Sequence, residues 1–199
     1  MRPSRSAEVD PAAKLGATAG VQRVPTRELE LFIIRGFLDP LTCEQLIERI
    51  DAKRRPSEIA DDVGIANFRT SETCDLDWRD PVVGEVDRRI ADLLGLPLAT
   101  SEPLQGQRYA PGQEFKPHTD TFEPGGYDYL VHTESSGQRT WTAMVYLNEP
   151  QEGGATRFKA IGKTVQPETG KLVAWNNLLP DGRPNPATLH QGMKVRRGV

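Results

Sequence analysis

Residues 140–160 read TWTAMVYLNEPQEGGATRFKA, and this stretch decides the fold class. TWTAMVYLN and ATRFKA are short runs rich in β-branched and aromatic residues, parted by the turn signal Gly153-Gly154. The same texture extends both ways. LQGQRYA lies upstream, KTVQP and KLVAWN lie downstream, and Pro111-Gly112, Gly125-Gly126 and Asp181-Gly182 punctuate the rest. Many short strands at such spacing predict an antiparallel sandwich or barrel over about residues 98–199.

Before Pro97 the pattern is helical. LELFII (29–34) is apolar and β-prone and reads as a strand. Asp39-Pro40 then opens a helix carrying Cys43, Leu46, Ile47 and Ile50 on one face, with a capping box at Thr42 and Gln45 as an alternative start. Asp80-Pro81 repeats the signal, and Val82, Val83, Val86, Ile90, Leu93 and Leu94 form a second stripe that Gly95 and Pro97 stop. Residues 54–78 between the helices read as polar and irregular. The expected architecture is α+β, with N-terminal helices bracing a β-roll. Residues 1–26 are expected to be a flexible arm and 27–199 a single domain, with helical support over about 27–97.

Length and composition narrow the function classes. A 199-residue chain with 37% apolar and 27% charged residues can bury the core of one globular, water-soluble domain. A net charge of −3, with both signs mixed, leaves no footprint for nucleic acid and no polybasic membrane patch. Cys43 and Cys74 fit no zinc or redox spacing and read as free thiols in a reducing compartment. The first residues lack the apolar core of a secretory signal, and no run approaches a bilayer span. A cytoplasmic location is the resulting expectation; oligomeric state is not readable.

The chemistry sits on histidine. Of His118, His132 and His190, the first lies in KPHTD, two residues before Asp120. In a strand, residues i and i+2 share a face, so an imidazole and a carboxylate can converge on one metal ion. His190 is the best third ligand, 190 − 118 = 72 residues on, at the start of another β-prone segment. Two histidines and a carboxylate leave one face of an octahedral metal open, as in non-haem iron(II) oxygenases. His132 has no partner at metal spacing and reads as a solvated loop residue.

Six stretches give a wider resemblance: FLDPLTCEQLI, RTSET, EPLQGQRYAPGQEFKPHTD, GQRTWTAMVYLNEPQEGGATRF, ETGKLVAWNN and LHQGMKV. In order and spacing they resemble the prolyl 4-hydroxylase type of iron(II)/2-oxoglutarate dioxygenase. The resemblance implies a double-stranded β-helix, or jelly roll, with helices packed on one side. It implies His118, Asp120 and His190 as iron ligands, with no catalytic residue beyond them, and Tyr109 as a hydrogen-bonding partner of 2-oxoglutarate. It implies oxidative decarboxylation of 2-oxoglutarate to succinate, coupled to hydroxylation of a prolyl residue in a peptide or protein, with ascorbate as a further cofactor.

Other residues follow from the same resemblance. Thr142 and Trp175 are expected at the co-substrate pocket, with Met144 sharing the Thr142 face, and Arg69 and Arg139 at the substrate. Residues 121–138, polar and glycine-rich, read as a lid or substrate loop. The family lysine that meets the distal carboxylate of 2-oxoglutarate would fall at 190 + 10 = 200, and the arginine of related subfamilies at Val199. The reading is that the sequence as given stops short of that anchor. Counting along an unbroken strand from His190, Lys194 and Arg196 share its face and Arg197 points away.

Three classes remain open at this point. One is the hydroxylase, of prolyl residues or of a different small substrate. The second is a jelly-roll module that binds peptide without turnover. The third is a cupin-like enzyme with the same triad and no 2-oxoglutarate, against which Tyr109 and the FLDPLTCEQLI helix argue.

Overall fold

The computed structural model describes residues 9–57 and 67–199, apart from the side chains of residues 128, 132 and 134–136. Helix α1 (Pro11–Ala17) comes first, its N-cap Asp10 accepting from the Ala12 amide at 3.0 Å. β1 (Val21–Arg23) and β2 (Leu31–Ile34) pair antiparallel. Helix α2 (Pro40–Lys53) starts where Asp39-Pro40 puts it: the carboxylate takes the Thr42 amide at 2.9 Å, and proline supplies a fixed φ with no amide to leave orphaned. β3 (Arg55–Pro56) and β4 (Glu72–Asp75) precede α3 (Pro81–Leu94), which Asp80 caps likewise and Gly95 ends at φ 70°.

The remaining elements carry the β texture. They are β5 (Gln105–Arg108), β6 (Phe115–His118), α4 (Tyr127–Ser136), β7 (Trp141–Val145), β8 (Glu152–Gly153) and β9 (Thr156–Phe158). After these run β10 (Lys163–Val165), β11 (Leu172–Asn176), β12 (His190–Gly192) and β13 (Val195–Arg197). One four-stranded sheet has the order β1-β2-β11-β7 and a second β10-β9-β12-β6. From β6 onward the chain passes repeatedly between these two sheets. All strand pairings are antiparallel.

Strand β11 shows how the core is divided. Side chains alternate along a strand, and here both faces are covered, so Leu172, Val173, Ala174 and Trp175 are all buried. Leu172 and Ala174 face a cluster with Leu15 of α1, Phe32 and Leu94 of α3. Val173 and Trp175 face the other way, into a cluster with Leu31, Phe158 and Val165 that joins the two sheets. A third cluster packs Cys43, Leu46 and Ile50 of α2 on Cys74, Val83 and Val86. Both cysteines are free thiols. Among the described residues, no helix is long and apolar enough to cross a membrane.

Three expectations need correction. The arm expected over 1–26 carries α1 and β1 in its described part, because Leu15 is fully buried against the β11 sheet; residues 1–8 lie outside the described residues. Leu15→Ala is therefore expected to cost about 2–5 kcal/mol, read as a lowered urea midpoint. An unchanged midpoint would mean that α1 does not belong to the fold. The segment 54–78, read as irregular, contributes β3 and β4 to a sheet of order β3-β4-β5, with residues 58–66 outside the description. Its polar residues pair across strands, Glu72 meeting Arg108 at 3.1 Å, so polarity there marks a salt-bridged sheet. The loop read over 121–138 contains helix α4.

Candidate metal centre

His118 ends β6 and His190 begins β12, and the two are register partners on adjacent antiparallel strands. Pairing brings their ring centroids to 4.3 Å, although 72 residues separate them (190 − 118). Asp120 Oδ1 stands 3.7 Å from His118 Nε2 and 3.7 Å from His190 Nε2. One ligand atom from each of the three lies within 4.8 Å of the others. Ligands held at about 2.1 Å on adjacent octahedral corners sit roughly 3 Å apart, so the triad needs only a small contraction to grip an ion.

The protein fixes the tautomers. Each Nδ1 lies beside a backbone carbonyl that can only accept, Lys116 O at 2.8 Å for His118 and Thr188 O at 2.9 Å for His190. Each Nδ1 therefore carries the proton and donates, which leaves both Nε2 lone pairs directed at the gap beside Asp120. Aromatic rings hold the imidazoles in place. Phe115 stacks on His118 at 3.5 Å and 16°, and Trp175 meets His190 edge-on at 4.9 Å.

Asp120 is reached differently from the sequence expectation. β6 stops at His118, and Asp120 lies on a bend beyond it, so strand alternation does not aim the carboxylate. Tertiary partners do. Thr142 Oγ1 donates to Asp120 Oδ2 at 2.6 Å, and Arg139 Nη1 donates to the Asp120 carbonyl at 3.2 Å. Gln138 secures the next turn, its amide bonding both the N–H and the C=O of Phe122.

Burial pushes His118 down from 6.5 to about 4, with His190 adding to the shift and Asp120 opposing it. The unfolded chain takes up this proton near 6.5, whereas the folded, metal-free protein resists until about 4. Stability is then fully present above 6.5 and lost as pH falls through about 4. The Tm of metal-free protein is expected to fall across that window, and His118→Gln to flatten the dependence. A flat wild-type profile would show that the ring is solvated.

The remaining expected site residues divide. Trp175 walls the site by packing on His190 and Phe158, and its Nε1 has no hydrogen-bond partner among the described residues. Tyr109 Oη donates to Gln107 Oε1 at 3.1 Å and borders Gly192, and burial pushes its hydroxyl up, keeping it a neutral donor. Arg69 lies 4.8 Å over Phe115, on the ring that also stacks on His118, and donates to Ser71 and Thr73 hydroxyls. Arg139 grips Glu102 with two nitrogens at 2.5 and 2.8 Å and covers Phe122. As placed, it holds the Asp120 bend. Thr142 is turned to Asp120, and Met144 Sδ lies 4.0 Å from the Thr156 hydroxyl. His132 falls in α4, its side chain outside the described residues.

The strand-parity argument for the C-terminal cations does not hold. β12 ends at Gly192 and β13 begins at Val195 in a different sheet, so the count from His190 is broken. Lys194 pairs with Glu114 at 3.6 Å and Arg196 with Glu152 at 3.2 Å, both largely exposed, and Arg197 is exposed too. Asn177, Phe115 and Gln138 went unread. Asn177 left no usable signal, because it lies past the end of β11 and meets Thr142 only through the pairing of β7 with β11.

The stretch that carries the triad is similar to known proteins. Residues 104–199, which hold the whole triad, match the description of the 2OG-Fe(II) oxygenase superfamily. The matched stretch is just under half of the chain. The chain is 35% identical over 137 residues to prolyl 4-hydroxylase subunit alpha-1 of Gallus gallus, a match covering 67% of this chain and 26% of that one. It thus spans about a quarter of that relative's length. A probable prolyl 4-hydroxylase 3 of Arabidopsis thaliana is 30% identical over 198 residues, covering 86% of this chain and 66% of the relative. Among solved structures, the 2OG complex of a viral collagen prolyl hydroxylase from Paramecium Bursaria Chlorella virus-1 superposes with a TM-score of 0.64 at 26% identity, covering 84% of this chain and 90% of that one. Two imidazoles and a carboxylate are a donor set that fits iron(II).

Proposed function

We propose that this chain is an iron(II)- and 2-oxoglutarate-dependent hydroxylase acting on prolyl residues of a peptide or protein. The observation that carries the reading is the convergence of two Nε2 lone pairs and Asp120 Oδ1 on one gap, with both Nδ1 protons held by backbone carbonyls. The prolyl 4-hydroxylase relatives support the substrate class. The two sheets then form a jelly roll that α2 and α3 brace from the N-terminal side.

Bound iron(II) would supply the activation of oxygen and the oxidation of the substrate carbon. The chain's own residues do the positioning. His118, His190 and Asp120 Oδ1 would hold the ion and leave it accessible to 2-oxoglutarate and oxygen. Tyr109 offers a neutral hydroxyl to a carboxylate of 2-oxoglutarate, and Thr142 keeps Asp120 in one orientation. Phe115, Phe158 and Trp175 exclude water from the imidazoles. Arg69, beside the site on Phe115, is the cation best placed to meet a peptide carbonyl.

The test is anaerobic titration of iron(II) and 2-oxoglutarate into purified protein, followed by oxygen and proline-rich peptides. A weak visible charge-transfer band, succinate release and a peptide mass gain of one oxygen atom are expected. Succinate without peptide modification would move the substrate to a small molecule. Iron binding with neither band nor succinate would sink the hydroxylase.

A further inference from the structure

Asn177 carries chemistry that the triad alone does not account for. It follows β11, is fully buried, and its backbone is held independently of its side chain. Its N–H donates to Thr140 O at 2.7 Å, and its carbonyl accepts from the Asn185 N–H at 2.9 Å. Its side-chain Nδ2 lies 2.8 Å from Thr142 Oγ1, which lies 2.6 Å from Asp120 Oδ2.

Proton counting fixes the direction. An ionised carboxylate only accepts, so the single Thr142 proton goes to Asp120, and the hydroxyl must accept from Asn177. The amide is thereby committed to one orientation, and its Oδ1 is left without a hydrogen-bond partner among the described residues. Stranding a buried acceptor is unfavourable. If this position served only to fill volume, an apolar side chain of the same shape would avoid that penalty.

We infer that Asn177 is a positioning residue for the metal. With Thr142 it forms a relay, Asn177 Nδ2–H to Thr142 Oγ1–H to Asp120 Oδ2, that engages the outer carboxylate oxygen and turns Oδ1 between the two imidazoles. The inference rests on the triad reading and deepens it. Sequence spacing gives no hint of it, because the three residues are contributed by the β6 bend, β7 and the end of β11.

The test titrates Co(II), in place of iron(II), into metal-free wild type, Asn177→Leu, Thr142→Val, Thr142→Ser and the double variant Asn177→Leu/Thr142→Val. Visible absorption reads the Co(II) affinity and urea reads the stability. Thr142→Val is expected to weaken Co(II) binding by about tenfold to a hundredfold and Asn177→Leu by about tenfold. The double variant binds no more weakly than Thr142→Val alone, since both changes break one chain. Thr142→Ser restores the wild-type affinity. The urea midpoint of Asn177→Leu holds or rises, because the stranded oxygen goes with the amide. Wild-type affinity in Asn177→Leu, or losses that add in the double variant, would overturn the relay and leave a structural role. Should Asn177→Leu fail to fold, Asn177→Ala is judged by the same affinity criterion. If wild type itself takes up no Co(II), the triad reading falls and takes the relay with it; uptake with silent Asn177 variants sinks the relay alone.

Discussion

Asp120→Ala is expected to abolish both metal binding and turnover while leaving the fold standing. Two imidazoles alone hold a divalent ion poorly, and Asp120 is the triad's only negative charge. The carboxylate is also what ties the β6 bend to β7 through Thr142. That second loss is modest, because Arg139 grips the Asp120 main-chain carbonyl, which alanine retains. A thermal melt separates the two effects. At a metal concentration a hundred times Kd, wild type gains about 2.7 kcal/mol, whereas the variant gains nothing. Its metal-free Tm stays within a few degrees of wild type. Retention of near-normal turnover in Asp120→Ala would remove this residue from the metal and with it the site.

Gly170→Ala is expected to be the most damaging substitution far from the metal. Gly170 sits at φ +75°, and a Cβ there would lie 2.0 Å from the Leu38 backbone oxygen. Its own N–H donates to Tyr146 O at 2.8 Å and its carbonyl accepts from the Leu38 N–H at 3.2 Å. The residue therefore stitches the β7–β11 connection to the entry of α2, and nothing there can move without breaking a main-chain bond. Left-handed strain of about 1–2 kcal/mol adds to the displacement, for a total loss of about 3 kcal/mol or more. Gly16→Ala is the control. Within α1, with nothing within 4 Å of the added methyl, it is expected to stabilise by about 0.5–1 kcal/mol. Equal urea midpoints for the two variants would refute the steric account.

What could be read from the sequence was local. Asp39-Pro40 and Asp80-Pro81 start their helices because a cap acts within three residues. KLVAW gave a strand, and LELFII another, because their apolar runs answer to cover on both faces. His118 and His190 were legible as candidates from residue type and flanking strand texture. What stayed hidden depends on where strands stop. Asp120 lies past the end of β6, Lys194 lies in the break between β12 and β13, and a parity count fails at either point. Arg139 was legible as important, but its engagement by Glu102, 37 residues away, was not. Asn177 required the same long-range pairing of β7 with β11, which no local pattern encodes.

The register that sets His118 opposite His190 also has a kinetic consequence. An ion bound there acts as a clasp, closing a 72-residue loop (190 − 118) that includes α4 and strands of both sheets. Closing a loop of that length removes chain entropy from every partly opened state, whatever the ion's chemistry. Loading with a redox-inert divalent ion should then slow proteolytic nicking across residues 119–189 more than it slows nicking near α1, so cofactor supply sets the lifetime of the chain as well as its activity.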